Sequence, residues 1–134
     1  MHIIILTQNY FKLKLYIAFG VKFNMLNYMS INKAKFSIGA VVKHRHFDFR
    51  GVIYDVDFEF NNSEEWYQSI PKNVRPRKDQ PFYHLLAESN DVTYEAYVSE
   101  QNLLIDKSNE PIKHPLVEEI FAGKRGSTYF KTSN

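Results

Sequence analysis

The clearest pattern in the chain is an alternation running from Val52 to Phe60. Val52, Tyr54, Val56, Phe58 and Phe60 fall on one side, and Asp55, Asp57 and Glu59 fall on the other with Ile53. Successive side chains of a strand point to opposite faces, so a period of two predicts a strand with one buried face. The run Ala40–Phe47 before it is also strand-prone. Asp48-Phe49-Arg50-Gly51 makes the turn between the two, with Gly51 suited to a bulge or a positive φ. Further along, Phe82–Glu88 and Thr93–Val98 read as strands joined at Ser89-Asn90-Asp91, and Leu103-Leu104-Ile105 as a short fifth strand.

Two segments break the strand pattern. Asn61 to Pro81 holds Pro71, Pro76, Pro81 and the chain's only tryptophan, Trp66. A connection of that length is unusual unless it carries function. Within it, Ser63 is placed to cap a helical turn, with Glu64 and Glu65 in the first turn. Pro111 to Gly123 suits a short helix: Pro115 fits the first turn, Leu116, Val117, Ile120 and Phe121 make an apolar stripe, and Gly123 is a stop.

Together these elements predict a mainly β fold, a small SH3-like five-stranded antiparallel barrel with a long loop and a short C-terminal helix. Val52, Tyr54 and Val56 are expected to line its interior. Such a barrel leaves little room for an enclosed active site and presents shallow aromatic grooves between its loops. Its exposed edges make a homo-oligomer a plausible assembly.

Composition changes this picture in three places. The 134 residues allow one ordinary domain with extensions, and 44% hydrophobic content is ample for its core. The absence of cysteine removes disulfides and thiolate chemistry and fits a cytoplasmic setting. Net charge is +2, but residues 1–32 carry Lys12, Lys14 and Lys22 without any acid, which leaves the remainder at −1. Any basic face on the domain is therefore local.

Residues 1–34 form an N-terminal extension, 35–123 the domain and 124–134 a basic tail with Tyr129-Phe130 as a sticky end. The apolar N-terminal stretch lacks the features of a spanning helix, a secretory signal or an Arg-rich transit peptide. It reads as translated upstream sequence, with Met25 or Met29 as the start, as an accessory element, or as a membrane-associated piece.

Candidate chemistry is sparse. His44, His46 and Asp48 alternate along the first strand and, facing one way, could ligate a metal with His84 as a fourth group; the plainer reading is a solvent-facing or hydrogen-bonded row, and no metal is expected. Asp55, Asp57 and Glu59 share a face as catalytic carboxylates do, and as any solvated outer face does. No nucleophile elbow or phosphate-cradling glycine loop occurs, so neither an enzyme nor a cofactor is expected. Ile70–Lys78 is a proline-stiffened arm with Lys72, Arg75, Arg77 and Lys78 and no acid. It reads as a nucleic-acid contact, a protein contact or a solvated loop, and Lys43, Arg45 and Arg50 add to it if the fold brings them near. Trp66 and Tyr67 read as an exposed recognition pair or as a plug at one barrel end.

Several runs resemble the small heat-shock family HspQ (YccV-like). Arg50–Asp57 resembles its second strand. Glu65-Trp66-Tyr67, Arg75-Pro76 and Gln80–Leu86 resemble its central block, and Tyr94–Leu103 its closing hairpin. His114-Pro115 sits where relatives lead into a C-terminal helix, and the resemblance spans roughly residues 35–122. Many relatives have proline where this chain has Phe58, and they generally begin near Phe36. The resemblance implies binding of hemimethylated DNA, here through Lys43, Arg45, Arg50, Arg75, Arg77 and Lys78. It also implies a heat-shock role in proteolysis, with an ATP-dependent protease such as Lon and substrates such as DnaA as partners, here through Trp66 and Tyr67.

Overall fold

The computed structural model describes residues 33–131. The expectations for residues 1–32 lie outside that range. Among the described residues no helix is long and apolar enough to cross a membrane.

Five strands make one antiparallel sheet: β1 (Val41–His44), β2 (Arg50–Asp57), β3 (Phe82–Ser89), β4 (Val92–Ser99) and β5 (Leu103–Ile105). Their spatial order is β4-β3-β2-β1-β5. The five strands fall within the expected segments, although β1 ends at His44 and β2 at Asp57, short of the predicted runs to Phe47 and Phe60, and the hairpin β3–β4 turns where expected. Asn90 and Asp91 both take positive φ (48° and 65°), the geometry of a tight two-residue turn that these two side chains tolerate.

The expected barrel does not close. β4 and β5 are the two ends of the sheet and are not paired with each other. A single 3-10 turn, Glu100–Asn102, links them, and all three residues of β5 are taken up in pairing with β1.

The interior also differs from the expected lining. β2 pairs with β3 as Val52↔Leu86 and Ile53↔Leu85, and then as Asp55↔His84 and Val56↔Tyr83. Tyr54 is the extra residue of a bulge. One inserted residue reverses the alternation, so Ile53 and Val56, not Val52 and Val56, share a face. That face forms the main core with Phe36, Val42, Tyr83, Leu85, Val98 and Leu103. Val52 faces the other way with Val41 and Leu86, and Tyr54 is only half-buried.

The second face is covered by the C-terminal segment, through Ile112, Val117, Phe121 and Tyr129. The helix expected over Pro111–Gly123 shrinks to α2, Val117–Ile120 (α1 is Glu64–Ser69 in the long connection). Pro115 has no N–H to donate, and the chain after Phe121 is drawn into a hairpin, β6 (Gly123–Arg125) with β7 (Thr128–Phe130). Gly123 therefore opens a strand instead of ending a helix. Tyr129 is buried, not a sticky end, and its hydroxyl accepts from the Ile112 N–H at 2.9 Å.

Gly39 locks this hairpin to the sheet. Its φ of +93° suits glycine, its carbonyl accepts from Tyr129 N–H at 2.8 Å, and an added Cβ would lie 2.0 Å from the Tyr129 carbonyl oxygen. Gly39→Ala is expected to destabilise the domain by more than about 2 kcal/mol, read as a lower urea midpoint. A midpoint unchanged from wild type would mean that the hairpin is not held at this point.

Candidate macromolecule-binding groove

An open groove of ≈ 630 Å³ runs between β4, the long connection and the β1–β2 turn. Its construction begins with α1, which at six residues is too short to persist alone. Ser63 caps it, accepting from the Trp66 N–H at 3.1 Å as the sequence implied. At the other end the Arg75 guanidinium donates to the Gln68 carbonyl at 3.1 Å and to the Ile70 carbonyl at 2.8 Å, groups that a helix end leaves unpaired. Tyr67 donates its hydroxyl to the Pro76 carbonyl at 2.8 Å and carries the Arg75 cation 5.4 Å from its ring centre. The arm is thus folded back on its own helix.

Trp66 and Tyr67 are half-buried, between the two sequence readings. Trp66 stacks on Phe60 at 5.9 Å and meets Tyr97 edge-on at 5.4 Å, while Phe82 stacks on Tyr97 at 5.1 Å. This aromatic pile is one wall of the groove. The other is the β1–β2 turn, where the His44 Nδ1 accepts from the N–H groups of both His46 and Phe47, each at 3.0 Å. Phe47 is left 60% exposed beside the groove. Burial, and secondarily the charge of His46, lowers the His44 pKa, favouring the neutral acceptor.

The six cations named from the sequence do not form one patch. Arg75 lies on the groove, whereas Arg45 is exposed and not among its lining residues, its Nε donating to the Gln101 carbonyl at 3.0 Å. Arg77 pairs with Asp79 at 3.3 Å and Lys78 with Glu64 at 2.5 Å; the Lys78 bond first, and then that from Gln68, holds the Glu64 carboxyl below its usual range. Arg50 belongs to a separate depression with Lys43. There it bridges Glu88 and Asp106, both at 3.2 Å, and donates to the Glu110 carbonyl.

The histidine row is not assembled either. His84 lies on the outer face of the sheet with Asp55 and Asp57, the three offering ligand atoms within 4.8 Å of one another. Asp57 is not a plainly solvated carboxylate: its Oδ2 is 3.0 Å from His84 Nε2 and accepts from the Tyr97 hydroxyl at 2.8 Å. The bulge at Tyr54 brings Asp55 opposite His84, a pairing that no spacing along the sequence reveals.

The chain is thus a mainly β protein, an open five-stranded antiparallel sheet with a groove walled in part by aromatic rings. A family model described as "Hemimethylated DNA-binding protein YccV like" matches residues 34–128, and the chain belongs to that family. It is also similar to F-box only protein 21 of Mus musculus, 32% identical over 95 residues, and to that of Homo sapiens, 30% identical over 95 residues. In each case the match takes in 70% of this chain and spans only 15% of the relative's length.

The half-buried tyrosines Tyr54 and Tyr97 give the domain an alkaline limit. Burial, and then the Glu95 charge and hydrogen bond, push the Tyr54 pKa up to about 12, and burial raises Tyr97 further. An unfolded tyrosine ionises near pH 10. Their contribution is therefore complete below pH 10 and is lost as pH rises through the folded values. The urea midpoint is expected to fall between pH 10 and pH 12, and Tyr54→Phe to flatten that fall. A midpoint constant across this range would contradict the assignment.

Proposed function

We propose that the domain is a non-enzymatic binding module with two kinds of macromolecular ligand. The geometry best supports protein contact, as an adaptor or regulator in protease-dependent degradation of the heat-shock kind that the HspQ resemblance implies. The observation that carries this is the groove itself, with Trp66, Tyr97 and an exposed Phe47 on its walls. Aromatic side chains of this kind dominate protein-binding energetics when a partner covers them. The strand order and the 3-10 turn before β5 also suit an open variant of the SH3-like barrel, whose rim is its binding surface. A cytoplasmic location and an ATP-dependent protease of the Lon type, with its substrates, go with this reading.

The second ligand is DNA of the hemimethylated class, and the family match favours it. Arg45 and Arg75 bond only to carbonyls, which leave their charge intact, and Lys43 and Lys72 are exposed. Four such cations support weak duplex binding. One methyl group in the major groove contributes roughly 0.8 kcal/mol, about fourfold in affinity, unless the DNA or the groove adds a shaped fit.

Two measurements test these roles. Capture of a Lon-type protease is expected to fall several-fold with Trp66→Ala; undiminished capture would remove the groove from the adaptor role. Duplex affinity is expected to drop with salt at a log–log slope of about −3 to −4, and Arg45→Ala to reduce that slope by about 1. Equal affinity for hemi-, fully and unmethylated duplexes would dispose of methylation sensing.

A further inference from the structure

The bulge at Tyr54 sets three donors side by side on the outer face of the sheet. Asp55 and Asp57 lie two residues apart on β2 and share that face, and His84 is the β3 residue paired with Asp55. One ligand atom from each lies within 4.8 Å of the others. The His84 Nε2 and the Asp57 Oδ2 are 3.0 Å apart. Two donors bound to one zinc ion at about 2.0–2.1 Å stand roughly 3.0–3.4 Å from each other in octahedral or tetrahedral geometry. This pair therefore has the separation that a shared ion imposes, and its hydrogen bond can give way to two bonds to the ion without movement of either strand. Asp55 rests on the Val56 N–H at 2.9 Å, and its carboxylate keeps lone pairs for a third bond.

Two further observations distinguish this cluster from acids scattered on a surface. The first is orientation. Tyr97 pairs with His84 from β4; its hydroxyl donates to Asp57 Oδ2 at 2.8 Å and accepts from the Asn61 N–H at 2.9 Å. A group outside the donor set thus fixes the carboxylate. The His84 ring meets those of Tyr54 and Tyr97 at 5.8 and 4.7 Å, and the Asp57 side chain is only 14% exposed. The second is charge. Among the described residues, the lysines and arginines in ion pairs go to Glu88, Asp106, Asp79 and Glu64. None goes to Asp55, Asp57 or Glu95, whose carboxylate takes the Tyr54 hydroxyl at 3.2 Å. A bound dication supplies the positive charge that no side chain does.

We propose that Asp55, Asp57 and His84 form a binding site for a first-row divalent cation of the zinc type, with Tyr97 as the residue that positions Asp57. One imidazole and two carboxylates suit such an ion, and the imidazole selects against magnesium and calcium, which take oxygen ligands. Three protein donors leave at least one coordination position for water. The ion would tie β2 to β3, whichever macromolecule the groove takes.

The full chain is titrated with zinc while the ring-proton signals of its five histidines are followed. The His84 signals are expected to shift saturably and those of the other four to stay in place. Asp55→Asn, Asp57→Asn and His84→Gln are each expected to weaken zinc at least about a hundredfold, and Tyr97→Phe about tenfold. The visible spectrum of cobalt bound in place of zinc is expected to change in Tyr97→Phe, which a residue acting on stability alone would leave as it is. Zinc is expected to raise the Tm of the unaltered chain and not that of His84→Gln. Zinc that shifts His44 and His46 but not His84 overturns the assignment, as does undiminished binding by His84→Gln. So does magnesium bound as tightly as zinc, or the lack of any saturable shift. The His84 signals of the unaltered chain decide the matter even where a variant fails to fold.

Discussion

The bulge at Tyr54 is the constraint on which the arrangement depends. Ahead of it Ile53 enters the core opposite Leu85, and past it Val56 enters the same core opposite Tyr83. Without the inserted residue, continued alternation would put Val56 on the outer face and an aspartate into the apolar interior. Burying a side chain such as valine or isoleucine is worth roughly 1.5–3 kcal/mol, and an unpaired buried carboxylate costs more than that. The two penalties act together, so the slipped register is not a competitor. The bulge also lets β3 be covered on both faces: Tyr83, Leu85 and Ala87 against the main core, Leu86 against the C-terminal segment. A central strand fixed in this way holds β4 in place, and with it the whole edge of the groove.

The long connection depends on a different interaction, the clasp of Arg75. Its guanidinium satisfies carbonyls at the end of α1 while its charge rests on the Tyr67 ring. Lys78 reinforces the same helix from Glu64 and lies 4.5 Å from the Tyr67 ring centre. The basic arm is thus first a structural device, and only its uncompensated charge remains for a partner. This separates two roles that composition merges: a cation bonded to a carboxylate adds little to the field felt by an anion, whereas one bonded to carbonyls adds almost its full charge. By that criterion the charges of Arg50, Arg77 and Lys78 are met by carboxylates, whereas the side chains of Arg45 and Arg75 bond to carbonyls.

Much of the fold was legible because it follows local rules. The strand character of β2, the Asn90-Asp91 turn and the Ser63 cap each depend on residues adjacent in the chain. What escaped depends on pairing between distant segments. Tyr54 fits either side of a strand, so nothing marked it as the inserted residue. Leu116–Phe121 has a helical stripe, yet those side chains settle on Val41 and Val52 without completing a helix, because Gly39 and Ala40 recruit Tyr129 and Thr128 into a hairpin. The Asp57–His84–Tyr97 cluster spans three strands and becomes visible only with the register. For the site, Trp66 and Tyr67 were identifiable as an aromatic pair within a long loop, but the strand edge facing them was not, since an edge is a property of sheet order.

That edge raises a question any open sheet must answer, namely why it does not recruit copies of itself. β5 avoids the problem by brevity, with three residues. β4 has eight, with Val92 at 60% exposure near its start, and lacks both proline and lysine, the residues that usually blunt an edge. Its protection is geometric. From Tyr94 onward residues of the arm and Trp66 of α1 line the groove with the strand, and they obstruct the flat access along the edge that a second folded sheet needs. The long Trp-and-Pro excursion thereby covers the approach to that edge, and it can do so only because Arg75 and Tyr67 hold it in shape.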